Sequence, residues 1–206
     1  MLLIALACFS RDVDANKNPA DCKAEYDKLS GTHTKILEDH EAGTSAFFES
    51  LHEIENKLFT AFEVCPKNVL LFTLMGEVQI SLGNVQLATL YARKAYDWDA
   101  TIWQTHHLLG SALSMQDEYK EGLAHLEKAV DIGNNKPELL FNLCSTYLAA
   151  GQYNNAVTTC TKVIEQKGHK LHAPAFHIRG QAYEALNITR KAEQDFKNAK
   201  TLGYGR

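Results

Sequence analysis

Apolar residues along this chain fall in blocks with helical spacing, separated by short polar turns. Residues 2–9 (LLIALACF) are almost wholly apolar, and residues 10–18 are polar and linker-like. From Pro19 to Leu29 a thin apolar stripe predicts a helix that is loosely attached. Phe47, Phe48, Leu51, Ile54, Leu58 and Phe62 recur at three- and four-residue spacing, so an amphipathic helix is predicted there. Beyond residue 68 the pattern repeats itself. Small residues stand at Gly76, Gly110, Cys144 and Gly180, spaced by 34, 34 and 36. Ala88, Gly122, Ala156 and Ala192 keep the same step, as do Ala95, Ala129, Val163 and Ala199. Turns are marked by Gly83-Asn84, Asn134-Asn135 and Gly151-Gln152. The chain therefore reads as all-α, a series of helix pairs.

The period and the residue types at these positions resemble the tetratricopeptide repeat, a 34-residue helix–turn–helix unit. The likeness is fullest where Phe176, Gly180, Tyr183, Ala192, Phe196 and Ala199 fall, and again along Leu140, Leu143, Cys144, Tyr147, Gly151, Tyr153 and Ala156. It implies four repeats, at 69–102, 103–136, 137–170 and 173–206, wound into a right-handed superhelical solenoid of antiparallel helix pairs. In such a unit the small residues at the eighth and twentieth positions let the two helices approach. The one at the twenty-seventh lets the next repeat dock. The sequence departs from the pattern in two ways: extra residues enter around Lys167 to His172, and the proline usual near a repeat's end is missing from all four. Ala61 and Pro66 keep the register one repeat earlier, which suggests a degenerate repeat over 35–68 within an N-terminal helical segment, 19–68.

The resemblance also implies a concave groove lined by each repeat's first helix. By register its fifth and ninth positions are Thr73 and Glu77, His107 and Ser111, Phe141 and Ser145, His177 and Gln181. Asn142, Gln104, Leu148 and Glu184 lie on or beside that face. Some relatives grip a C-terminal carboxylate with Lys and Asn at those positions. None of these pairs is present here, and a carboxylate clamp needs fixed positive charge. A neutral, polar and aromatic groove suits an extended peptide or a partner helix.

Composition narrows the reading without redirecting it. A net charge of -4 over 206 residues supplies no basic footprint for nucleic acid, and no apolar run is long enough to span a membrane. Residues 1–18 read as the remnant of a signal followed by a linker. Ala5-Leu6-Ala7 before Cys8 resembles a bacterial lipobox, in which Cys8 would carry lipid, although a larger aliphatic residue usually stands where Ala5 does. That points to a bacterial envelope, periplasmic or lipid-anchored, with the cytoplasm as the alternative. Of the cysteines at 8, 22, 65, 144 and 160, none has zinc-ligand spacing. The pairing of Cys22 with Cys65 stays open. Cys144 and Cys160 are expected to stay unpaired: an offset of about 5.4 Å along the axis, added to a helix separation of about 8–10 Å, exceeds the roughly 7 Å that a bridge spans.

Candidate chemistry is sparse. Neither GxSxG, a glycine-rich phosphate loop nor HExxH occurs. His169, His172 and His177 cluster in sequence, and His106 and His107 are adjacent but point about 100° apart on a helix. Asp117-Glu118 is expected to cap a helix N-terminus, and Asn187-Ile188-Thr189 matches a glycosylation acceptor. No catalytic residue, cofactor or metal ligand set is assigned. The expected function is a non-catalytic protein-interaction scaffold or assembly factor, similar in architecture to lipoproteins that assist pilus secretin assembly. The alternatives are a small-ligand or metal-binding carrier on the same scaffold, and a regulatory module of a separate enzyme chain.

Overall fold

The computed structural model describes residues 19–166 and 170–205. Cys8, with the rest of 1–18, and His169 lie outside the described residues. Among these there are ten α-helices and no strand: α1 Pro19–Asp39, α2 Ser45–Val64, α3 Val69–Ser81, α4 Val85–Trp98, α5 Trp103–Ser114, α6 Tyr119–Ile132, α7 Pro137–Ala149, α8 Tyr153–Glu165, α9 His172–Ala185 and α10 Thr189–Thr201. They form two compact units that divide after Ala100.

In the first unit, α1 and α2 form one hairpin and α3 and α4 another. Thr44 starts α2 by accepting a hydrogen bond from the Phe47 N–H, and Asn68 starts α3 by accepting from Leu71. Leu51, Ile54 and Leu58 of α2 are buried against Leu71, Phe72 and Met75 of α3. Phe72 meets Phe62 at 4.5 Å and Trp98 at 4.5 Å between ring centroids, an aromatic knot joining α2, α3 and α4. One polar chain runs through this core. Gln79 is fully buried, donates to Glu55 at 2.7 Å and accepts from Asn84 at 3.0 Å, so both ends of its amide are satisfied.

The first helix is longer and tighter than its apolar stripe predicts. Cys22, Leu29 and Ile36, seven residues apart, are all buried, with Leu29 only 1% exposed. A disulfide from Cys22 to Cys65, Cα atoms 5.9 Å apart, ties the start of α1 to the end of α2. The thin stripe suffices because a covalent bond holds one end of it. Residues 35–39 complete α1 rather than opening a further repeat.

The second unit is three hairpins, α5–α6, α7–α8 and α9–α10. Its small residues sit where the helices touch. A Cβ placed on Gly110 would lie 2.8 Å from both the Gly122 carbonyl oxygen and Leu126 Cγ. Cys144 and Ala156, the corresponding pair one repeat on, are both fully buried. Three side-chain bonds add direction to this packing. Tyr147 donates to Glu127 at 2.5 Å, joining α7 to α6. The Arg179 guanidinium makes a two-pronged bond to the buried Asp195 carboxylate at 2.7 and 2.9 Å, and donates to Thr161 at 2.9 Å, clamping α8, α9 and α10 together.

The turn after the first helix of each pair has a period of its own. Gly83, Asp117, Asn187 and Gly151 all have positive φ, between 59° and 80°. Two of the four are not glycine, and Asp and Asn are the side chains best tolerated there. The expected capping role of Asp117 is accordingly wrong. Its carboxylate accepts from the Tyr119 hydroxyl at 2.5 Å, and α6 has no side-chain cap.

A second correction concerns Cys144 and Cys160, which are joined, with Cα atoms 5.3 Å apart. The expectation placed Cys144 directly opposite Ala156. The Cα separation is shorter than the expected sum of axial offset and helix separation, because Cys144, Ala156 and Cys160 are small, fully buried and let α7 and α8 approach closely.

Two outcomes follow. Gly110→Ala is expected to cost about 1–3 kcal/mol, whereas Gly31→Ala, in helix α1 with no neighbour within 4 Å, is expected to stabilise by about 0.5–1 kcal/mol. Urea midpoints of the two variants should move in opposite directions. Peptide mapping without reductant on protein matured in an oxidising compartment should recover 22–65 and 144–160 linked peptides; recovery of both pairs as free thiols would contradict the pairing.

Candidate functional site

In the first unit the groove assignment meets an obstacle. Thr73 is 1% exposed and spends its hydroxyl on the Leu70 carbonyl at 2.8 Å. Glu77 and Ser81 follow at one-turn intervals on the same stripe of α3, and α1 lies along it. His33 of α1 reaches Ser81 at 3.4 Å, and the Glu77 carboxylate helps raise the Tyr26 phenol above its ordinary range, after burial as the main cause. Thr73 is therefore a packed residue and not a contact for a partner. Burial pushes the Glu77 carboxyl up to about 7, and pushes His33 down to about 4.

In the second unit the first helices α5, α7 and α9 carry the remaining candidates. His107 Nε2 and Asn142 Nδ2 are 2.5 Å apart, bridging α5 and α7. With the Asn142 amide donating, His107 Nε2 accepts and its proton sits on Nδ1. That Nδ1, and the Ser111 hydroxyl one turn further along α5, are buried and have no hydrogen-bond partner. Burial lowers His107 to about 4, so the ring is neutral at pH 7. Ser145 is half-buried and Gln181 exposed on α7 and α9. Phe141 is half-buried, leaning on the cluster of Cys144, Cys160 and Ile178.

His177, on α9, is half-buried. Its ring stacks on Tyr204 at 4.6 Å and meets Phe196 at 5.5 Å, so it fastens α9 to α10 and the segment after it. His172 turns to the Gln166 carbonyl instead. Among the described residues no group of three potential ligands is placed to hold a metal ion. Sequence reasoning also missed Trp103, one turn before His107 on α5 with Lys136 over its ring at 4.4 Å. An aromatic at the start of a first helix, with a lysine one repeat-length on, was the available signal.

No family model matches the chain. A curated relative, tetratricopeptide repeat protein 21B of Xenopus laevis, is 27% identical over 93 residues, 45% of this chain. The chain spans only 7% of that protein's length. Among solved structures, MamA from Desulfovibrio magneticus superposes with a TM-score of 0.64 at 15% identity, over 86% of this chain and 94% of that one. YrrB, described as a repeat protein with an unusual peptide-binding site, gives 0.62 at 20%, over 84% and 93%. A putative kinesin light chain of Podospora anserina gives 0.66 at 15%, over 90% and 96%. The fold is the tetratricopeptide repeat. Within it, the tetratricopeptide eighth and twentieth positions carry the close contacts described above, and His107, Ser111 and Asn142 sit on first helices.

The raised Glu77 carboxyl has a pH signature. The folded state holds its proton up to about pH 7 and the unfolded chain releases it near the ordinary value, so between those limits stability falls as pH rises. Glu77→Gln is expected to raise the melting temperature at pH 8 and to change it little at pH 4.5, as differential scanning calorimetry would show. His33 and His107, both lowered, act in the opposite sense, and their stability is lost as pH falls from 6.5 toward 4.

Proposed function

We propose that the chain is a non-catalytic scaffold that binds an extended peptide or a helix of a partner protein along the first-helix face of its second unit. One observation carries the reading: His107 Nδ1 and Ser111 Oγ are held one turn apart, buried and without partners. A buried polar group left unmade costs about 1–3 kcal/mol, so two side by side call for a partner, which water supplies in the free chain and the bound segment in the complex. The fold neighbours support an interaction role. The chemistry of the face selects the partner's class. His107 is neutral at pH 7, and none of Ser111, Phe141, Asn142, Ser145 and Gln181 is charged, so the bound segment presents backbone amides or neutral polar groups rather than a terminal carboxylate.

We also place the protein in an oxidising compartment, the bacterial envelope, anchored there by lipid on Cys8. Two disulfide bonds support that setting, because such bridges persist outside a reducing cytosol. Pairing of four cysteines leaves Cys8 for modification.

Affinity capture from the native host with the wild-type chain, followed by mass spectrometry, should identify the partner. His107→Ala combined with Asn142→Ala should then weaken that purified complex about tenfold or more with unchanged helicity. Lys128→Ala, on the exposed surface of α6, should leave it intact. Equal affinity of the double variant would move the binding surface elsewhere.

A further inference from the structure

A fixed positive charge stands next to the His107 end of the binding face. Lys136 closes the turn between α6 and α7, and its ammonium lies over the Trp103 indole, 4.4 Å from the ring centroid. Trp103 is the first residue of α5, one turn before His107, and the two ring centroids are 6.2 Å apart. Lys136 is exposed and Trp103 half-buried. No ion pair joins Lys136 to a carboxylate among the described residues. We infer that Lys136, positioned by Trp103, is a subsite for an acidic side chain, Asp or Glu, of the bound peptide. That subsite rests on the reading proposed above, in which the first-helix face of the second unit binds a partner segment.

Both residues are held in place before any partner arrives. Asn134 and Asn135 take left-handed φ values of 53° and 55°. The Asn135 N–H donates to the Val130 carbonyl at 3.0 Å, and the Asn135 carbonyl accepts from the Gln166 amide at 3.0 Å. Pro137 follows and keeps Lys136 extended, at φ -53° and ψ 138°. Trp103 rests against Gly133, where a Cβ would lie 3.6 Å from the indole Cγ. An ammonium seated on an aromatic face keeps N–H donors pointing away from the ring, so a carboxylate can pair with Lys136 without lifting it off Trp103. The arrangement differs from a carboxylate clamp in two ways. Lys136 precedes α7 instead of standing at the fifth position of a first helix, and it reads a side chain within the segment. The contacts of 4.4 and 6.2 Å, laid end to end, are spanned by two or three residues of extended chain at about 3.3 Å each. The acidic residue therefore stands two or three positions from the group that meets His107.

The probe is a library of short synthetic peptides, acetylated and amidated so that neither end is charged, selected on the purified full chain. The wild type should enrich Asp or Glu at one position, and Lys136→Glu should enrich Lys or Arg there instead. A contact that only fastens α5 to α7 would not exchange the selected charge. For one enriched peptide, Lys136→Gln should weaken binding about two- to fivefold and flatten its dependence on salt. Lys136→Arg should bind as the wild type does. Enrichment without acidic preference, or an acidic preference that survives in Lys136→Glu, would overturn the subsite and leave the scaffold reading in place. No enrichment by the wild type beyond that of the His107→Ala, Asn142→Ala double variant would remove the binding face itself, and the subsite with it.

Discussion

Two helices can lie side by side at short range only where neither carries bulk at the crossing. In this chain that condition is met in each hairpin from α3–α4 onward, at nearly constant spacing. The cost of violating it is visible at Gly110, where one added carbon would press on the Gly122 carbonyl and the Leu126 side chain. Everything else in the second unit depends on that approach. It lets Arg179 span from α9 to both Asp195 and Thr161, brings Cys144 within bonding reach of Cys160, and sets the imidazoles of His106 and His125 against each other.

The hairpins were readable from the chain because a steric requirement of this kind leaves a mark on residue type: Gly76, Ala88 and their counterparts must be small wherever the partner helix passes. Other features leave no such mark. Asp117 and Asn187 occupy the left-handed position that Gly83 and Gly151 hold elsewhere, and a polar residue in a turn is equally at home as a helix cap. The 144–160 bond depends on how closely two helices approach, which residue spacing along the chain does not resolve. Helix α1 shows the same limit. Its three buried apolar residues look too few until the Cys22–Cys65 bond is taken into account.

The candidate site was legible as register and illegible as environment. Periodicity places Thr73, His107 and His177 on equivalent positions of first helices, yet the three have different surroundings. Thr73 is buried and bonded to its own helix, His177 is stacked between Phe196 and Tyr204, and His107 shares one nitrogen with Asn142 and leaves the other unmet. Each fate is decided by a residue far away in sequence or on another helix. Ser111, Phe141, Asn142, Ser145 and Gln181 are uncharged by residue type, whereas the neutrality of His107 at pH 7 follows from its burial.

The bond between Cys22 and Cys65 has a mechanical meaning. Stacked hairpins pulled from their ends can peel away one helix at a time, because each hairpin is held mainly by its neighbours. Here the first hairpin is a closed covalent ring with a sequence separation of 43. Under tension, about 150 Å of contour that an open chain would pay out stays locked, and force entering from the N-terminal side passes directly to residues after Cys65. The α1–α2 pair then behaves as a fixed handle, and extension begins at α3.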